Sequence, residues 1–108
     1  MDDLKKLTDK LEYLFLKEVV MQLKNGTLTL GQGKWASTEF LKLEPFQSVE
    51  DAKTKIHRFV GTNEMLKVLV EYVDAFVYEQ KVDKVIDKMK KYIGEKKIDE
   101  ALQVAVKS

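Results

Sequence analysis

The stretch NGTLTLGQGKW, Asn25 to Trp35, holds three of the chain's five glycines beside Lys34 and the single tryptophan, a composition that could cradle a phosphate. The phosphate-loop pattern Gly-x-x-x-x-Gly-Lys-[Ser/Thr] needs glycine where Leu28 stands and a hydroxyl where Trp35 stands. Both the backbone cradle and the magnesium ligand are therefore missing. Gly31, Gly33 and Ala36 do match the dinucleotide fingerprint Gly-x-Gly-x-x-Gly/Ala, with Glu50 and Asp51 where its ribose-binding acid would fall. That fingerprint works between two parallel strands, whereas Glu50 and Asp51 begin an amphipathic helical pattern. The stretch reads as a corner between helices, with Gly31 and Gly33 there for close backbone packing.

His57 is the only histidine and there is no cysteine, so the usual zinc sets cannot be assembled. It stands at the edge of a helical stripe, the place of an ordinary half-exposed side chain, and none of the three serines carries a nucleophile signature. The carboxylate pairs Glu71/Asp74 and Asp83/Asp87 have helical spacing but lack the Glu-x-x-His motif of di-metal bundles, and read as solvated ion-pair faces. No catalytic residue, cofactor or metal ligand is assigned.

A stronger signal is positive charge. Seven lysines between Lys81 and Lys97 face three acids, an excess of +4 in a chain whose net charge is +1. Lys81, Lys84, Lys88 and Lys91 step by three, four and three, forming a single-sign ladder on one helix side that could neutralise backbone phosphates or lie on an anionic membrane face. Against this stand Asp83 and Asp87 and the absence of any arginine except Arg58, so a solubilising face explains the ladder as well. Trp35, beside glycines in a connection, and Tyr72 and Tyr78, pointing away from the first apolar stripe of their segment, are candidate protein contacts.

These residues need elements to position them. Leu4, Leu7, Leu11 and Leu14 mark a first helix whose apolar set widens through Phe15, Leu16, Val19, Val20, Met21 and Leu23, and which stops at Asn25-Gly26. Thr29 with Gln32 forms a capping box opening a second helix through Trp35, Ala36, Phe40 and Leu43, ended before Pro45. Ser48 caps a third, striped by Val49, Ala52, Ile56, Phe59 and Val60 and closed by Gly61. Thr62 or Asn63 caps the next, which continues to Gly94, and Ile98, Ala101, Leu102, Ala105 and Val106 repeat the spacing in a last helix. Between Glu64 and Ile93 the pattern changes phase. Leu66, Leu69, Val70, Val73, Phe76 and Val77 share one side, while Val82, Val85, Ile86, Met89 and Ile93 lie nearly opposite. This predicts a break or kink near Glu79 to Lys81. The alternative is an unbroken helix whose second half presents Val82, Val85 and Met89 to flanking helices or another subunit.

With 108 residues, 44% of them hydrophobic, the chain has material for a single domain spanning residues 1–108. The start MDDLKKL lacks the apolar run of a signal peptide, the longest apolar stretch is too short for a membrane span, and the lack of cysteine suits the cytoplasm. The expectation is an all-α compact bundle of five to six amphipathic helices. It acts without catalysis as a protein-protein interaction or assembly module, with a protein partner or self-association as a homodimer. The alternative is a nucleic-acid-associated helical protein using the lysine face.

Overall fold

The computed structural model describes residues 3–107. They form five α-helices, α1 (Asp3–Lys24), α2 (Leu30–Leu41), α3 (Val49–Val60), α4 (Lys67–Gly94) and α5 (Ile98–Lys107), with one 3₁₀ turn, Glu64–Leu66, before α4. No strand occurs among the described residues, and none of these helices is long and apolar enough to cross a membrane. The all-α class expected from the periodicity is the one observed.

The helix ends follow local chemistry. Gly26 takes the left-handed conformation, φ 81°, that terminates α1. The Thr29 hydroxyl accepts from the Gln32 N–H at 3.1 Å while the Gln32 side-chain oxygen accepts from the Thr29 N–H at 2.8 Å, a reciprocal capping box at the start of α2. Ser48 accepts from the Asp51 N–H at 3.0 Å to open α3, and Gly61, φ 54°, closes it. Asn63 rather than Thr62 makes the next cap, accepting from the Met65 N–H at 3.0 Å.

The chain divides into two compact units, one reaching to Ala75 and the other beginning at Phe76. In the first, Leu7, Leu11 and Phe15 of α1 are buried with Phe40 of α2, Ala52, Ile56 and Val60 of α3, Leu66, and Leu69 and Val73 of α4. Three phenylalanines from three helices tie this core together. Phe15 and Phe40 stack at 4.4 Å, and Phe59 meets their edges at 6.0 and 5.7 Å. The apolar set of α1 is wider than the stripe that is covered, so Leu16, Val20 and Met21 remain exposed.

The expected break at Glu79 to Lys81 is absent: α4 is a single unbroken helix. Glu, Gln and Lys are good helix formers, no turn residue interrupts them, and the two stripes need not enter one core. Leu69 and Val73 serve the first unit, whereas Val82, Val85 and Met89 belong to the second and are half-buried there. In that second unit Lys96, φ 60°, turns the chain back: its N–H donates to Ile93 O at 2.9 Å and the Lys97 N–H to Tyr92 O at 2.8 Å. Ala101 of α5 is fully buried, and Val104 lines one cavity with Val85 and Tyr92, so α5 lies back along the second half of α4.

Candidate functional site

The glycine-rich corner is helical. Gly31 and Gly33 sit in the first turn of α2, and a Cβ on buried Gly33 would meet Leu23 and Leu28 side-chain carbons at 3.6 Å, an ordinary van der Waals contact, so the packing of α2 on α1 does not require glycine there. Glu50 and Asp51 occupy the first turn of α3, and the strand that a dinucleotide loop would need is absent from this segment. Trp35 is 68% exposed beside an open hollow that Gly31, Gln32, Asn63 and Met65 also line.

His57, at the surface, places Nε2 2.6 Å from Asp74 Oδ1, joining α3 to α4. Asp74 therefore faces the histidine rather than making a cation site with Glu71. Among the described residues no group of three or more His, Asp or Glu side chains converges as a metal site. Another pair of acids does meet. Glu12 of α1 and Glu44, just beyond α2, line a groove of about 290 Å³ with Phe15, Leu16, Phe40 and Leu41. Burial, with the Glu12 hydrogen bond and the charges of Glu12 and Asp9, pushes the Glu44 carboxyl up to about 7. Its Oε2 is buried and receives no hydrogen bond, so a proton is the donor that this pair lacks when ionised.

In the second unit the lysine ladder becomes a cleft. Lys84, Lys88 and Lys91 of α4 and Lys107 of α5 surround a cavity of about 460 Å³ floored by Val85, Tyr92 and Val104, with no carboxylate among the described residues of its wall. Tyr92, Val104 and Lys107 also border a neighbouring hollow that Asp99 and Glu100 line. Lys81 lies outside the lining, as do Asp83 and Asp87. Among the described residues none of the four lining lysines has an ion-pair partner, whereas Lys5, Lys42, Lys55 and Lys97 do. Like charges at i,i+3 and i,i+4 cost a helix about 0.2–0.5 kcal/mol per pair, so the ladder spends stability on concentrated charge. Sequence spacing could find three of these lysines. Lys107 and Tyr92 were out of reach because they join the cleft only when α5 folds back.

The apolar candidates separate by exposure. Tyr72 is half-buried, as are Val82, Val85 and Met89, while Tyr78 is exposed. Exposed alongside it in the same unit are Ile86 and Ile93 of α4 and Ile98, Leu102 and Val106 of α5. At about 100° per residue Tyr78, Ile86 and Ile93 fall within one quadrant of α4, and Ile98, Leu102 and Val106 within one quadrant of α5. Compared with protein-family models, with curated proteins and with solved structures, the chain matches none.

Proposed function

We propose that this chain is a non-enzymatic helical protein-protein interaction module that self-associates through the apolar stripes of its second unit. The observation that carries the reading is the exposure of Tyr78, Ile86 and Ile93 on α4 and of Ile98, Leu102 and Val106 on α5, with Val106 77% exposed. Scattered apolar residues on a surface are ordinary, but six large ones aligned on two helices of a 33-residue unit are not. They offer on the order of 500 Å² per copy, and a two-fold pairing doubles that to on the order of 1,000 Å², the lower bound of a specific interface. A second copy is the natural occupant because the stripe is apolar throughout and so self-complementary. The centre of the lysine ladder lies about 150° around α4 from the centre of this stripe, with Lys81 and Lys88 nearest at about 60° and about 80° from Tyr78, so the ladder borders the pairing face without standing in it. A cysteine-free chain keeps such a surface free of disulfide exchange and suits a reducing compartment such as the cytoplasm.

Light scattering across protein concentration tests the reading. The wild type is expected to run as a dimer at about 100 μM, and Ile93→Asp with Leu102→Asp to run as a folded monomer, since both side chains are already in water. A wild type that stays monomeric at that concentration, or a double variant that keeps the dimer mass, refutes it.

A further inference from the structure

We propose that the cleft between the second half of α4 and α5 binds single-stranded nucleic acid, with Lys84, Lys88, Lys91 and Lys107 neutralising backbone phosphates and Tyr92 stacking on a base. Four lysines from two helices, none ion-paired among the described residues, line one hollow. Repulsion among them is relieved by an anion carrying several charges. The three on α4 extend over about 10 Å of helix axis, the length of about three stacked nucleotides of one strand.

The shape selects among polyanions. The wall is concave and holds about 460 Å³, room for one strand but not for a duplex about twice as wide as the cleft is long. A planar membrane surface likewise cannot enter it. The floor is not charged: Val85, Val104 and the half-buried Tyr92 line it, so a flat, partly apolar body meets an aromatic side chain there. A lysine groove that tracks the backbone beside an aromatic platform is the arrangement by which single strands are held without sequence preference. On α4 the cleft's lysines, Lys84, Lys88 and Lys91, lie about 140° or more from Ile86 and Ile93, whereas its floor residues Val85 and Tyr92 fall within about 40° of Tyr78, so the lysine variants are the ones that test the site apart from self-association.

Fluorescence anisotropy with a labelled ten-nucleotide single-stranded DNA of mixed sequence tests the site. Four neutralised phosphates give a slope of log affinity against log salt of about −3, and so about a 50-fold loss between about 50 and 200 mM salt. Lys88→Gln with Lys107→Gln should halve that slope, leaving about a sevenfold loss. Tyr92→Leu keeps an apolar floor and should weaken binding about tenfold with the slope unchanged. The glutamine variants lie at exposed positions, so circular dichroism is expected to match the wild type. The proposal is overturned by any of four results: no binding at low salt, equal affinity for duplex, an equal effect of Lys17→Gln with Lys24→Gln on α1, or preferential capture by anionic phospholipid vesicles.

Discussion

Replacing Glu44 by glutamine should make the protein more stable above neutral pH and leave its stability unchanged in mild acid. Glu44 Oε2 is buried without a hydrogen-bond donor, and burial together with Glu12 and Asp9 moves the carboxyl from its ordinary 4.5 up to about 7. Between those two values the folded state holds a proton that the unfolded chain has released. Stability therefore falls as pH rises: the favourable contribution is complete below about 4.5 and is lost as pH passes through 7. A displacement of this size corresponds to about 3 kcal/mol at 1.36 kcal/mol per tenfold change, and it belongs to the Glu12–Glu44 pair rather than to one oxygen. Because the rest of the side chain still touches solvent, about 1–2 kcal/mol is expected at pH 8.

Glutamine keeps the shape of the protonated acid, carries no charge and supplies an N–H that can donate toward Glu12. Urea unfolding followed by far-ultraviolet circular dichroism, for both proteins at several pH values from about 5 to 8, reads the difference directly. Acid-labile contributions shared by the two proteins cancel in it. Asp51 is such a case: the Gln47 N–H lowers its carboxyl, so what it adds to stability is present above the ordinary carboxylate range and lost on acidification. The two stability curves should meet near pH 5 and separate steadily toward pH 8. Parallel curves, or a variant less stable than wild type at pH 8, would show that Glu44 is ionised at no cost in the folded state.

The glycine corner gives an equally direct test. Gly31→Ala and Gly33→Ala should each raise stability by about 0.5–1 kcal/mol in thermal melts, since both sites are helical and a Cβ meets only ordinary contacts. A loss at either position would mean that the added Cβ is not accommodated and that the close packing does require glycine. Lys96→Gly should stabilise the turn between α4 and α5 by about 1 kcal/mol, because Lys96 holds a left-handed conformation that glycine adopts without strain. Slower amide exchange at positions 96 and 97 would register the gain, and unchanged or faster exchange would contradict it.

What the sequence made legible divides along a physical line, between interactions closed within a few residues and those closed by a chain that returns. Thr29 with Gln32 and Ser48 with Asp51 sit three residues apart, so their hydrogen bonds depend on little but local geometry and could be read directly. Gly26 and Gly61 ended their helices for the same reason. The cleft and the acid pair are different. Lys107 reaches Lys91 only because Lys96 turns the chain back, and that turn uses a lysine where a glycine would have announced it. Glu12 and Glu44 are neighbours only because the Phe15–Phe40 stack draws α1 and α2 together. The unbroken α4 shows the same division from the other side. Its opposed apolar stripes signalled a conflict correctly, but a phase change can be resolved by bending the helix or by giving each stripe its own partners. Local propensity decides between the two, and Glu79-Gln80-Lys81 favours continuity. Continuity leaves Ile86 and Ile93 uncovered, so the misread break and the exposed stripe have one cause.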